Sequence, residues 1–415
     1  MQVANNIPAG MPAPEGGDSS SPRQWLAVGA VTLGAFAFVT TEFLPVGLLP
    51  YIADTLGVSP GTAGLMVTTP GVVAAISAPG LMIGAGRMDR RHVFLLLTAL
   101  LLASNLISAF ATNFPVMLIG RALLGAALGG FWTLATAAAG RLVQPKDAAK
   151  ATAAILTGVT CATVIGVPLG TFIAGFASWR LSFIATSVLV AVAFLVQLCF
   201  VPSLPSSAAL RFSDLIALAR RSHARRSMLM VALAFGAHFF SYTYITPFLL
   251  TGANFNMSTI TWLLLGFGVI GFVSNFVASV AVDKSLKVSA GVMMSLLMFA
   301  LLLMPLVHHS PLAVTLVVLM WGIAFGALPL CFSVWIQRST PDLPEAGSAL
   351  FVGTIQVAIA LGSSIGGTVV DSVGIPANFM MGSAFALLGL AVLASFGRKT
   401  QSDFESKPVV CRAVP

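Results

Sequence analysis

The sequence predicts an all-α membrane protein, with twelve transmembrane helices in two pseudo-symmetric six-helix bundles. Three observations predict it. The 415 residues are 57% hydrophobic and only 8% charged, with a mean hydropathy of +0.97. A soluble domain carries about 25% charged residues. Twelve apolar stretches each reach the length of about 20 residues that the hydrocarbon requires. Nineteen of the 21 Lys and Arg residues fall on the links and tails of one side, one (Arg180) falls on the other, and Arg121 lies within a span.

The elements follow in order. The tail 1–24 is rich in Pro, Gly and Ser and holds one basic residue, Arg23. It lacks the positive start and short apolar core of a secretory signal. The first apolar run is therefore expected to be an uncleaved helix behind a flexible cytoplasmic tail. The expected spans are 25–50, 60–84, 92–112, 115–142, 149–175, 182–202, 228–250, 258–282, 288–308, 311–337, 346–370 and 375–397. They divide into an N-terminal bundle over 25–202 and a C-terminal bundle over 228–397, with a second tail at 398–415. The segment 203–227 between the bundles is Pro/Ser-rich, then basic, and reads as a plain cytoplasmic linker. A short helix on the inner membrane surface over its later part is the alternative, and anionic lipid would attract it either way.

The Lys/Arg bias sets the orientation, with both termini in the cytoplasm and the chain in the inner (plasma) membrane. It also accounts for the net charge of +8 without nucleic acid as a partner. Cys161, Cys199 and Cys331 lie in apolar segments and Cys411 lies in the tail, with no metal-ligand or Cys-x-x-Cys spacing. Free thiols, no metal and no cofactor are expected.

The halves echo each other. Pro45 near the end of span 1 matches Pro247 near the end of span 7. Arg121-x-x-x-Gly125 lies opposite Trp321-Gly322-x-x-x-Gly326 at an offset of 200 residues, as does Gly166-Val-Pro168-Leu-Gly170 opposite Gly366-Gly367. The basic link Arg87–Arg91 matches Asp283-Lys284-x-x-Lys287. Such duplicated bundles are the design of many secondary transporters, whose substrate site lies near the midplane between the repeats.

Glu42 and Arg121 are the only charged residues inside the apolar stretches and away from their ends. A charge in hydrocarbon costs about 2.5–3.5 kcal/mol on insertion scales, so both are candidate functional residues. Glu42 lies seven residues before Leu49, and Arg121 six after Pro115. At the helical rise both sit about 9–11 Å in from the outer ends.

Taken in order, several stretches resemble the major facilitator superfamily over roughly residues 25–397. They are Thr41-Glu42-Phe43-Leu44-Pro45-Val46-Gly47-Leu48-Leu49, Ile119-Gly120-Arg121-Ala122-Leu123-Leu124-Gly125 and Leu128-Gly129-Gly130-Phe131-Trp132. Val167-Pro168-Leu169-Gly170, Trp179-Arg180, Tyr242-Thr243-Tyr244-Ile245-Thr246-Pro247 and Ile365-Gly366-Gly367 continue the series. The chain is similar to the twelve-span drug:proton antiporters, and within them to the sugar-efflux and purine-ribonucleoside-efflux group. One departure stands out. Aligned on Arg90-Arg91, the Asp of the family's loop 2–3 motif falls on Gly86, and its later Gly falls on Asp89. This puts the usual inner-gate contact in doubt, whereas Asp283-Lys284 keeps the expected order.

The resemblance implies that spans 1 and 4 line a central cavity. Glu42 and Arg121 are then expected to face it and to interact, directly or through water or substrate. Glu42 would carry a proton, and Arg121 would tune it or bind a polar substrate group. A structural ion pair, or carbonyl bonds that pack the bundle, is the plainer reading. At about 100° per residue, Arg121 and Trp132 fall within about 40° of one face. Trp132 could then stack on a substrate ring or belong to the core. His238 and Tyr242 share a face of span 7 and, with Phe240, make an aromatic wall. It would suit a nucleoside or sugar, and equally a hydrogen-bonded core. Gln356 and Asn275 could bind polar substrate or join helices. Trp321, at the repeat position of Arg121, suggests an aromatic C-terminal half. Gly166, Pro168, Gly170, Gly366 and Gly367 would let helices pack closely and rock, and Arg90, Arg91, Asp283 and Lys284 would gate the inner side.

The expected function is proton-coupled efflux by alternating access, an antiport of small polar organic solutes, purine ribonucleosides before sugars of the arabinose type or chloramphenicol-like drugs. A uniporter of the same fold is the other reading. The partners are substrate, protons and lipid, and the chain is expected to act as a monomer. No Gly-x-x-x-x-Gly-Lys-Ser/Thr or His-Glu-x-x-His occurs, so neither ATP-driven pumping nor an intramembrane enzyme is expected.

Overall fold

Helix starts follow a simple rule. Ser21, Ser59, Asn113, Ser178, Asn256 and Ser310 each accept a hydrogen bond from a first-turn N–H of the helix that follows. A proline follows Ser21, Ser59 and Ser310 directly, where its missing N–H costs nothing. The computed structural model describes residues 20–84, 88–205 and 212–396. Most of the N-terminal tail, Gly86, Arg87, part of the linker and the whole C-terminal tail with Cys411 lie outside the described residues.

The N-terminal half runs α1 (Pro22–Leu56), the single turn α2 (Pro60–Ala63) leading into α3 (Leu65–Gly84), and α4 (Arg90–Ala109). It continues with α5 (Phe114–Leu142), α6 (Ala148–Phe176) and α7 (Trp179–Phe200). The short α8 (Phe212–Arg220) occupies the linker. This corrects the plain-linker expectation, because Leu218 is fully buried against Ala224 and Ala346 and so gives the segment an apolar face to fold on. The second half runs α9 (Ser222–Tyr242), α10 (Ile245–Pro247), a π-helical turn Phe248–Gly252, α11 (Met257–Lys284) and α12 (Leu286–Leu303). It ends with α13 (Pro311–Ser339), α14 (Pro344–Ser372) and α15 (Ile375–Ala394).

Among the described residues 11 helices are long and apolar enough to cross a membrane, and the pair α9 plus Ile245–Gly252, bent by 42°, makes up to 12. Pro247 explains the bend, since it withholds the N–H that would close on the carbonyl of Thr243.

The packing is duplicated. In the first half α1 packs on α6 and α7, α5 on α3 and α4, and α4 on α7. In the second half α9 packs on α14 and α15, α13 on α11 and α12, and α12 on α15. These are the same five pairings. Between the halves α6 meets α11, and α3 meets α14, again a symmetric pair. Small residues permit these approaches. A Cβ on Gly170 would lie 2.2 Å from Leu44 of α1, and one on Gly326 would lie 2.2 Å from the carbonyl of Gly271 in α11.

The face that bears the chain ends and the linker is tied within each half. Asp147 accepts from Ser20 at 2.7 Å, and the Lys287 ammonium donates to the Phe396 carbonyl. Cys161, Cys199 and Cys331 are free thiols.

Candidate functional site

Two lone charges in apolar helices meet at a proline problem. In a helix each N–H closes on the carbonyl four residues back, and proline has none to offer. Pro45 therefore strips Thr41 of its donor, Pro50 strips Val46, and Pro70 strips Met66. Arg121, fully buried on α5, fills two of the three gaps. Its Nη1 donates to the Thr41 carbonyl at 3.0 Å and its Nε to the Met66 carbonyl at 2.9 Å, while Nη2 reaches the Glu42 carbonyl at 3.0 Å. The third gap is closed across the halves, where Thr246 Oγ1 donates to the Val46 carbonyl at 2.9 Å. A planar fork with five donors suits this task.

The direct charge pair is not formed. Among the described residues no ion pair joins Arg121 to the Glu42 carboxylate. The guanidinium is spent on main-chain carbonyls instead. Glu42, 5% exposed, sends its carboxyl toward α14 in the opposite half, where Gln356 Nε2 donates to Oε1 at 3.3 Å. Gln356 is 6% exposed, and its own Oε1 is buried without a partner.

The second half carries an aromatic group around His238, which is 1% exposed. Trp321 Nε1 donates to His238 Nδ1 at 3.0 Å. The imidazole stacks between Phe325 at 3.3 Å and Tyr242 at 4.7 Å, and Tyr242 stacks in turn on Phe267 at 5.2 Å. An indole N–H only donates, so Nδ1 accepts and the other ring nitrogen carries the hydrogen of a neutral ring. Phe43 of α1 stacks on Phe239 of α9 at 5.5 Å, which brings this group to the seam between the halves.

Beyond Gln356, toward the face away from the chain ends, the seam is closed by a series of bonds. Thr68 and Ser363 share a hydrogen bond of 2.8 Å. Tyr244 donates to the Ser363 carbonyl at 2.7 Å. Asp371 of α14 accepts from Ser59 Oγ at 2.6 Å and from the Gly61 N–H at 2.9 Å, so a carboxylate of one half caps a helix start of the other. Glycines make room for this contact, since a Cβ on Gly61 would fall 2.2 Å from the Gly367 carbonyl. Asp371→Ala is expected to loosen this end of the seam. In a cysteine-free background, a cysteine placed at buried Ala63 should then react several-fold faster with a water-soluble maleimide. Unchanged labelling would show that Asp371 does not hold the seam.

A family model described as Major Facilitator Superfamily matches residues 31–352. The chain belongs to that superfamily. It is therefore a multi-pass membrane transporter and not an enzyme. The purine ribonucleoside efflux pump NepI of Salmonella typhimurium is 34% identical over 384 residues, which is 92% of this chain and 96% of that protein. The Salmonella typhi protein of the same name matches to the same extent. Two solved structures share the fold. The D-xylose-proton symporter aligns with a TM-score of 0.70 at 15% identity, covering 90% of this chain and 97% of the other. The human organic anion transporter MFSD10 aligns at 0.66 and 18%, covering 90% and 100%.

Within this superfamily fold, several expected site residues are placed elsewhere. Phe240 is fully buried against Phe385 of α15, because two residues along a helix turn it about 200° away from His238. Asn275 donates to the Gly326 carbonyl and serves the α11–α13 contact. Trp132 packs edge-on against Phe131, beside the core of the first half. Gly166 and Gly170 set the closeness of α6 to α1, and Gly366 that of α14 to α9, with Pro168 inside α6.

The residues expected to gate the inner side make contacts within their own halves. Arg91 donates to the Leu198 carbonyl at 2.7 Å, Arg90 N–H bonds the Leu204 carbonyl, and Arg338 pairs with Asp283 at 3.7 Å. Lys284 lies in the last turn of α11. Asp89, the displaced acid of the loop 2–3 motif, caps α4 and accepts from Ser203 and the Leu204 N–H. The Ser203 bond, followed by those from the Leu204 and Arg91 N–H groups, holds its carboxyl below the usual carboxylate range.

Sequence reasoning missed the carbonyls of Thr41 and Met66, and the residues Thr246, Tyr244, Phe267, Phe325 and Asp371. The signal for the first group was present, since Pro45 and Pro70 mark the carbonyls four residues earlier. Asp371 stood one residue beyond the expected end of span 11.

Proposed function

We propose that this chain is a proton-coupled efflux antiporter of small polar organic solutes, purine ribonucleosides foremost, working by alternating access. Glu42 is its proton site. The observation that carries this reading is a buried carboxyl at the seam of the two halves with no cation paired to it among the described residues. Such a group is costly to keep ionised where it lies. It gains water, and readily changes its protonation, when the seam parts on either side. Arg121 holds α1, α3 and α5 in register around it. The aromatic group of His238, Tyr242, Phe267 and Trp321 supplies flat faces and one fixed ring N–H, which suits a purine. The NepI relatives, named as purine ribonucleoside efflux pumps, support the same substrate class. The Lys/Arg bias supports an inner-membrane chain with both termini in the cytoplasm.

Uptake into everted membrane vesicles tests the reading. Labelled inosine should accumulate when the vesicle interior is acid, and the accumulation should collapse with a protonophore. Preference for arabinose or chloramphenicol would change the substrate assignment. Equilibration that ignores the gradient would make the chain a uniporter.

A further inference from the structure

We propose that Gln356 reads the proton on Glu42 and converts it into closure or parting of the seam between the two halves. The proposal rests on Glu42 being the proton site. The geometry is specific. Glu42 stands on α1 of the first half and Gln356 on α14 of the second, both almost wholly buried, with Nε2 donating to Oε1 at 3.3 Å. Gln356 Oε1 is a buried acceptor with no partner among the described residues. The surroundings are tight, since a Cβ on Gly71 of α3 would lie 2.8 Å from the Gln356 carbonyl.

An amide offers donors on one side and an acceptor on the other. A protonated carboxyl has the complementary pair. Its O–H can donate to Gln356 Oε1 while its other oxygen keeps accepting from Nε2. That arrangement makes two bonds, satisfies the orphaned acceptor and buries no net charge on the carboxyl. Loss of the proton leaves a carboxylate with one neutral partner and returns Oε1 to its unpaired state. Both changes favour water over the seam. The protonated form therefore stabilises contact between α1 and α14, and the ionised form favours their separation.

The direction follows from what lies beyond the pair. The bonds of Thr68 with Ser363, of Tyr244 with the Ser363 carbonyl, and of Asp371 with Ser59 and Gly61 all lie between Gln356 and the face away from the chain ends. Parting there exposes Glu42 to that side. A proton loaded from that side re-forms the pair and closes the seam. Release of the proton toward the face of the chain ends frees the seam to part again. One proton moves from one water phase to Glu42 and on to the other, and no other bond is made or broken. This is the order that an exporter driven by inward proton flow requires.

Other groups could titrate nearby. On the elements packed around Glu42 the charged or titratable side chains at its depth are Arg121 of α5, Cys161 of α6, and His238, Tyr242 and Tyr244 of the α9–α10 segment. Among the described residues α3, α4, α7 and α14 carry none there.

Spin labels on cysteines at Val58 and Val373, on opposite halves at the far face, report the seam in liposomes by pulsed electron resonance. In the otherwise cysteine-free chain the distance should be short in acid and long in alkali, the closed-to-open ratio changing by up to about tenfold per pH unit for one proton. Glu42→Gln should stay short at every pH. Gln356→Met, of similar size, should lose the pH response while eluting as folded protein. If it does not fold, Gln356→Asn withdraws the amide by one methylene and replaces it in the test. A native pH response in the Gln356 variant, with none in Glu42→Gln, would overturn the proposal and leave Glu42 as the proton site. A native response in Glu42→Gln would overturn both. Loss of the response only in His238→Phe would assign the titration to His238 and overturn the proposal as well.

Discussion

Arg121→Ala is expected to cost more stability than any other single substitution in the first half. It removes the donors to the carbonyls of Thr41, Glu42 and Met66. Two of these carbonyls have no helical donor to fall back on, because Pro45 and Pro70 supply none. At about 1–3 kcal/mol for each of these two unsatisfied buried groups, the loss comes to roughly 2–6 kcal/mol. Arg121→Lys keeps the charge but replaces a fork with a single ammonium, so it should recover only part of the loss. Denaturation of purified protein in detergent measures both. A cycle with Pro45→Ala and Pro70→Ala isolates the cause. Those changes return N–H groups to the starved carbonyls, and in that background the Arg121→Ala penalty should shrink. An unchanged penalty would mean that Arg121 stabilises the helices by some other route.

The second large effect is functional. Glu42→Gln should abolish gradient-driven accumulation in everted vesicles while leaving insertion and folding intact. With one proton per solute, each pH unit of gradient supports about tenfold accumulation, so the whole of that factor is at stake. Stability should hold or rise, because the change removes a buried charge and leaves an amide that can pair with Gln356. Accumulation that survives the substitution would dismiss Glu42 as the coupling site. The two substitutions also separate their residues' roles. Arg121 variants should lose folded protein first, whereas Glu42→Gln should lose coupling first.

Much of this was legible in the chain. Twelve apolar stretches, repeats at an offset of 200 and a lopsided distribution of Lys and Arg describe a duplicated bundle. The physics behind them is one-dimensional, since span length and residue spacing are properties of a line. Glu42 and Arg121 stood out for the same reason, as charges where charge is expensive. Their partners did not stand out. The sequence left a carboxylate and a guanidinium at one depth free to interact directly, through water or substrate, or to pack the bundle through carbonyls, and the guanidinium went to the main chain. The wall read from His238, Phe240 and Tyr242 lost Phe240 to the contact with α15.

The sequence by itself determined a membrane-spanning, two-bundle transporter fold and the two costly charges inside it. Hydrophobicity and spacing suffice for that, because each span must satisfy its own backbone in lipid. Only the tertiary structure decided what those charges touch. The carbonyls starved by Pro45 and Pro70 come from two different helices, and a third helix must bring one arginine to both. Gln356 reaches Glu42 from 314 residues away, a distance along the chain that no local pattern records.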